Sequence, residues 1–370
     1  MKVSYFIRHG TTCVLFSILT LVASAQLSFG NQQLISEHSG GSDIVTVDLN
    51  NDGLMDIVSC SFSYNVIVWK QNLGGNEFSE SITISQAATQ IRSLATADLD
   101  GDGDQDILTG RQDNTVSWYE NLGDGIFSSE LVISNDANGV FAVFAADLDN
   151  DGDIDVLSAS RFDDKIAWFE NSGDGTFTDQ QVLSTNSENA TDVHASDLDN
   201  DGDLDVIATS YDDNKVVWFE NLGSGSFSTE NIISTNALGA QSVVSQDLDG
   251  DGDMDLVAAL FGLAQVVWYE NLGNGLFSEE LIITYNASGS YDVQIEDISG
   301  DGYPDVIAAS RTQSKISWFE NDGNGSFSME ILISEDVIAP EAVFASDMNN
   351  DGMIDVLSTS SSDNKIAWYE

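Results

Sequence analysis

Short apolar runs, rich in Val, Ile, Leu and aromatic residues, alternate along this chain with stretches of Gly, Asn and Asp. Between Gln241 and Asn286 four runs follow one another: SVVSQDL, MDLVAAL, QVVWYEN and, after the turn LGNG, LFSEELIIT. β-branched and aromatic segments of this length, bounded by turn residues, predict strands, and no 3.6-residue period competes with that reading. Runs such as KVVWF are apolar at successive positions, so both faces of those strands must be covered.

The pattern repeats. An acidic segment of the form D-x-D-x-D-G-x-x-D begins at Asp48, Asp98, Asp147, Asp197, Asp247, Asp297 and Asp347, a period of about 50 residues. All seven tryptophans keep the same period: Trp69, Trp118, Trp168, Trp218, Trp268, Trp318 and Trp368. Tryptophan in the middle of a two-sided apolar run is expected to pack blade against blade. Seven four-stranded units of this length predict an all-β fold, a seven-bladed β-propeller. A linear solenoid would need atypical polar capping repeats at its ends. Here the last repeat stops after its third strand, KIAWYE, while the segment LSFGNQQLISE near the start matches the fourth-strand pattern. Pairing the two predicts a 3+1 closure that leaves no free edge.

The acidic segment concentrates like charge that a solvated surface does not require, so a cation is expected among the carboxylates. Numbered from its first Asp, positions 1, 3, 5 and 9 carry oxygen side chains, position 6 is always Gly, and position 7 varies. The first copy offers Asp48, Asn50, Asp52, Leu54 and Asp56 at positions 1, 3, 5, 7 and 9; the second Asp98, Asp100, Asp102, Asp104 and Asp106. The third has Asp147, Asp149, Asp151, Asp153 and Asp155, the fourth Asp197, Asp199, Asp201, Asp203 and Asp205, the fifth Asp247, Asp249, Asp251, Asp253 and Asp255. The sixth has Asp297, Ser299, Asp301, Tyr303 and Asp305, the seventh Asp347, Asn349, Asp351, Met353 and Asp355. Alternate carboxylates of a tight loop can converge on one Ca²⁺, with position 7 contributing its carbonyl, which frees its side chain to vary. Up to seven Ca²⁺ ions, one per blade, are expected. Asn50, Ser299 and Asn349 reduce the charge of their loops, so those sites should bind more weakly, the sixth most of all. The loop is not an EF-hand: position 12 lacks Glu and the flanks are strands. A hairpin held by Asx-turns without metal is the alternative.

These loops between strands, with Phe-led fourth segments that mostly end in Ile-Ser, resemble FG-GAP/VCBS repeats of the integrin α-subunit type of β-propeller, over the whole chain after the leader. The resemblance implies calcium held between the first two strands of a blade by positions 1, 3, 5 and 9 and the position-7 carbonyl. It implies little about ligand.

Charge narrows the function classes. With 62 acidic residues against 11 basic ones, the net charge is −51, which argues against nucleic acid and anionic membrane surfaces as partners. The start of the chain, Lys2 and Arg8, an apolar run from Cys13 to Val22, then Ala23-Ser24-Ala25, reads as a signal peptide over residues 1–25, leaving 26–370 as a secreted propeller domain. That run is too short to span a bilayer, so no membrane insertion is expected. Cys60 then has no partner and is expected to be a small buried residue.

Eight of the nine basic residues after the leader fall on the face opposite the acidic loops, where the second-to-third strand loops also differ most between copies. Variable loops on a rigid scaffold carry binding, so a ligand site is expected there, using Arg161, Phe162, Tyr211, Phe261 and Arg311. The alternative is that these cations pair with Asp163, Asp164 or Asp213. Among the two histidines after the leader, His194 lies in an innermost strand and is expected to face the channel or to be packed; no nucleophile elbow or zinc spacing stands out. The reading is a monomeric, non-catalytic binding or adhesion module for a glycan or protein ligand, with a carbohydrate-active lyase or hydrolase as the alternative.

Overall fold

The computed structural model describes residues 29–36, 41–123 and 125–370. The leader reading and His38 lie outside these residues.

The described chain is all strand, turn and loop, arranged as seven four-stranded antiparallel sheets. Each sheet is one blade. Blade 1 runs Asp43–Val47, Asp56–Ser61, Val66–Lys70 and Ile82–Ser85, from the channel outward, and blades 2 to 6 repeat that order. In the seventh sheet Pro340–Ser346, Asp355–Ser360 and Lys365–Tyr369 are joined on the outside by Gln33–Ser36. That strand pairs Gln33 with Trp368 and Leu34 with Ala367, and the Gly30 amide donates to the Glu370 carbonyl at 2.7 Å. The last blade therefore takes its outer strand from the start of the chain.

Burial follows the two-sided pattern. Every second strand is buried along its whole length, as in Asp155–Ser160, because a neighbouring blade covers each face. Every tryptophan is at most 7 % exposed. Its ring lies against the next blade: Trp69 meets Phe127 edge-on at 6.4 Å, Trp168 meets Phe227 at 5.9 Å, and Phe78 meets Trp368 at 5.9 Å across the join. The turn after each third strand makes room for it. A Cβ on Gly125 would come within 2.2 Å of the Trp69 ring, so the second Gly of this N-x-G-x-G turn is a packing requirement. Cys60 is a fully buried free thiol of the blade 1 core, its pKa raised by burial.

Two details differ from the pattern-based expectation. The fourth run forms a strand only over its last residues, Leu281–Thr284 in blade 5, preceded by an isolated Asn271–Phe277 bridge. Between them the Ser278 hydroxyl accepts from the Glu270 amide and donates to the Glu279 carbonyl, diverting the ladder. The innermost strands also begin earlier than their apolar run, at Ala240 in blade 5, and six of the seven carry a register shift at their second residue. An extra residue in a ladder re-aims its side chain. Those residues are Arg92, Phe141, Thr191, Gln241, Tyr291 and Glu341.

Candidate metal loops and channel mouth

The innermost strands run from the turn-bearing face to the acidic loops. At about 3.3 Å per residue, a seven-residue strand sets these two ends of the channel roughly 20 Å apart. Each end carries its own chemistry.

At the loop end, local sequence dictates the backbone. Position 6 has φ from 86 to 97°, as in Gly53 and Gly152, a conformation that favours Gly. Position 4 is also left-handed and is filled only by Asn or Gly, for example Asn150 with φ 61° and Gly250 with φ 79°. The position-1 carboxylate accepts the position-6 amide, Gly103 to Asp98 at 3.0 Å, and the position-5 carboxylate accepts the position-7 amide, Asp104 to Asp102 at 2.8 Å. Asx-turns are therefore present, yet they do not exhaust the carboxylates. Oxygens of Asp98, Asp100 and Asp106 lie within 4.8 Å of one another, as do those of Asp147, Asp149 and Asp155, of Asp197, Asp199 and Asp205, and of Asp247, Asp249 and Asp251. Asp147 Oδ1 and Asp56 Oδ2 are buried and receive no hydrogen bond. Clustered, partly orphaned carboxylates fit a hard divalent cation. Among the described residues the first, sixth and seventh loops form no such three-carboxylate group, in keeping with Asn50, Ser299 and Asn349.

The position-9 Asp is the pivot. In blade 3, Asp155 Oδ2 accepts the Leu148 amide at 2.9 Å and Oδ1 accepts the Asn171 amide at 2.8 Å. Burial pushes the Asp155 carboxyl up to about 7 despite these bonds. The Asn171 side chain then donates to Ile154 O and, in the preceding blade, to Leu99 O, both at 2.8 Å. Asn121, Asn221, Asn271 and Asn321 repeat this clamp, and Asn72 makes it to Met348 O at 2.7 Å, across the join. A second link sits above it. Asn51 Nδ2 donates to Asp104 at 2.7 Å, and Asn150 and Asn200 reach Asp203 and Asp253 in the same way. The position-7 side chains of these loops thus hold the neighbouring blade, a role that sequence variation at that position did not reveal.

At the other end, Arg161, Tyr211, Phe261 and Arg311 converge on the mouth of the channel. Tyr211 and Phe261 lie 6.1 Å apart, and Phe261 and Tyr291 6.5 Å. The Arg161 guanidinium stacks on Phe141 at 4.6 Å and on Tyr211 at 5.9 Å, while its Nε donates to Asn189 Oδ1. Arg311 stacks on Tyr291 at 5.2 Å and pairs with Glu341 at 3.0 Å. Phe162 does not join them: it is 60 % exposed and packs over Gly139, because the tight turn sends consecutive side chains apart. Sequence reading missed Arg92, Phe141, Tyr291 and Glu341 as site members, all bulged residues of innermost strands. The available signal was that this one column changes chemistry in every repeat. Arg92 pairs with Glu341 at 3.0 Å, donates to Tyr291 Oη at 2.5 Å and stacks on Phe141 at 4.7 Å. The other cations of this face are paired locally: Lys165 with Asp163 at 2.8 Å, Lys215 with Asp213 at 2.9 Å, Arg111 with Glu130 at 2.6 Å.

One residue deeper, Asp43, Asp192 and Asp292 line the channel and accept the amides of Leu94, Val243 and Val343 in the next blade. Ser93 does the same for Val143 at 3.2 Å. Burial raises Asp43 and Asp192 to about 7 and Asp292 to about 6. A raised folded-state pKa stabilises at low pH and is lost as pH climbs through it. Asp43→Ser, which borrows the Ser93 solution, is therefore expected to gain stability relative to the parent between pH 5 and pH 8, measured by thermal unfolding in saturating calcium. A pH-independent difference would contradict the assignment. Deeper still, burial lowers His194 to about 4; it bonds Ser245 Oγ at 3.0 Å and meets Phe144 edge-on at 4.6 Å.

The FG-GAP-like repeat family model matches residues 48–109, 98–158, 147–208, 197–258, 247–308 and 297–358. The chain belongs to the FG-GAP-like repeat family. The comparison with curated proteins returned no match. Among solved structures, this FG-GAP-like propeller is similar to a lectin of Agrocybe aegerita that recognises non-reducing terminal N-acetylglucosamine, at 20 % identity over 80 % of this chain and 81 % of that one, TM-score 0.60. It is also similar to the BP39L lectin of Burkholderia pseudomallei, at 16 % identity, 90 % and 96 % coverage and TM-score 0.69. Virginiamycin B lyase of Staphylococcus aureus shares the fold at 14 % identity, 88 % and 98 % coverage and TM-score 0.59. At these identities the likeness is one of fold.

Proposed function

We propose that this FG-GAP-like propeller is a secreted, calcium-stabilised binding module that holds a glycan at the turn-side mouth of its channel. The observation that supports this reading is the convergence of Arg92, Arg161 and Arg311 with Phe141, Tyr211, Phe261 and Tyr291 around one opening. Concave sites that join aromatic faces to a few directed polar groups are the usual form of a small-ligand site. The lectins of similar fold make a glycan the first ligand class to test. Binding is favoured over catalysis because His194 lies deep in the channel with its Nε2 at Ser245. Positions 1, 3, 5 and 9 of each acidic loop would hold calcium and so fix the blades that present the mouth.

A glycan array run in millimolar calcium and again in EGTA tests this. The expected result is binding to a defined sugar class, lost in EGTA and lost in the double variant Arg161→Ala/Arg311→Ala. Retention of all binding by that variant would move the site elsewhere.

A further inference from the structure

We propose that the channel mouth takes a carboxylate-bearing saccharide, a uronate, with its carboxylate on the guanidinium of Arg161; this rests on the glycan-binding reading above. The mouth opens into a depression of about 460 Å³ in which Arg92, Arg161, Arg311 and Glu341 are the charged lining residues. Three guanidinium groups there face one carboxylate, in a chain whose net charge is −51. Glu341 is shared: Oε2 takes Arg92 at 3.0 Å and Oε1 takes Arg311 at 3.0 Å, and its side chain is 4 % exposed. Both of its oxygens are committed, so it neutralises two arginines and does not reach a third. Arg161 has only its Nε hydrogen-bonded, to the neutral Asn189 side chain, which in turn donates to Asp212 at 3.0 Å; Asp212 acts on the guanidinium through space and makes no bond to it, and ring faces lie against the rest. Its two terminal nitrogens form the fork that a carboxylate engages through parallel hydrogen bonds.

A second, independent donor looks into the same channel. Gln241, 5 % exposed, lines the cavity of about 420 Å³ beneath the depression. Its Nε2 has no hydrogen-bond partner. A buried amide donor left unmet is costly unless a ligand supplies the acceptor. Ser42, Arg92 and Glu341 border both cavities, so one occupant can span them. Tyr211, Phe261 and Tyr291 stand in a row beside the arginines at ring separations of 6.1 and 6.5 Å, tilted or edge-on to one another, and give this side of the mouth apolar surface; Tyr291 also lines the deeper cavity. A round mouth with this row suits the end of a saccharide chain better than an extended peptide, which requires a sheet edge or groove.

The experiment is calorimetric titration of the full chain with tri-galacturonate, its methyl ester and an acidic hexapeptide, at 2 mM calcium and 150 mM NaCl. Tri-galacturonate is expected to bind at least tenfold more tightly than the ester. Arg161→Gln should lose at least tenfold, and Arg161→Lys should recover part of it by restoring charge without the fork. Lys165→Gln on the same face should bind as the parent does. All variants are to be matched in calcium-dependent Tm, which Arg161, on a surface turn, is not expected to alter. Equal binding of ester and acid, or unchanged binding by Arg161→Gln, overturns the uronate assignment while leaving a glycan module in place. Binding of the peptide alone overturns both readings.

Discussion

Transfer of the protein from 10 mM calcium into excess EGTA is expected to lower its Tm by roughly 10 °C or more. A ligand that binds only the folded state stabilises it by RT ln(1 + [L]/Kd), and extracellular calcium modules have Kd values of about 0.1–1 mM. At 10 mM that gives about 1.4–2.7 kcal/mol per site. Loops two to five, where three carboxylates already converge, would together contribute on the order of 6–11 kcal/mol. The transfer also unmasks repulsion within a chain of net charge −51 that has no disulfide among its described residues. Calcium titration followed by calorimetry should resolve about four tighter sites and leave the first, sixth and seventh loops weaker. A Tm identical in calcium and EGTA would reduce the loops to Asx-turn hairpins.

The fold and the loop end of the channel were open to sequence reading because both are written periodically. Tryptophan recurs where a blade must cover its neighbour, and Asp recurs where oxygen atoms must meet. Even the outer strand of the last blade could be assigned, from Phe29 followed at the fourth-strand spacing by Leu34-Ile35-Ser36. What escaped was the geometry that periodicity does not encode. Arg92, Phe141, Tyr291 and Glu341 come from different repeats, share no motif and meet only because bulges turn them into one opening. Phe162 and Arg161 are adjacent in sequence, and only the turn decides that one faces the mouth and the other the solvent. The Asn that follows each third strand, Asn121, Asn171 and their equivalents, had the converse problem. It repeats faithfully, but the sequence presents it as a turn residue, while its partner lies about 72 positions away in the preceding blade. The difference has a physical root. Local hydrogen bonds and apolar burial follow from spacing along one repeat, whereas blade-to-blade contacts depend on how the ring closes.

That Asn carries the second large effect. Asn221→Ala is expected to destabilise the propeller by about 2–4 kcal/mol in saturating calcium. Asn221 is 1 % exposed, and its Nδ2 serves Leu148 O of the preceding blade at 2.7 Å and Leu204 O of its own at 3.0 Å. Its Oδ1 accepts the Gly223 amide at 3.1 Å, which shapes the turn beneath Trp168. Alanine leaves two carbonyls without their donor, and each unsatisfied buried group costs about 1–3 kcal/mol. Asn221→Asp should be worse, since it sets a carboxylate oxygen against those same carbonyls. Both carbonyls belong to acidic loops, at position 2 of the third and position 8 of the fourth. Calcium affinity should therefore fall at two loops at once, although Asn221 belongs to neither. The exposed Asn324→Ala serves as a control and should stay within about 0.5 kcal/mol of the parent. Urea unfolding at fixed calcium reads the stability and calorimetry reads the two sites. If Asn221→Ala unfolds with the parent and titrates with unchanged affinity, blade cohesion lies in the Trp–Phe packing and not in the clamp.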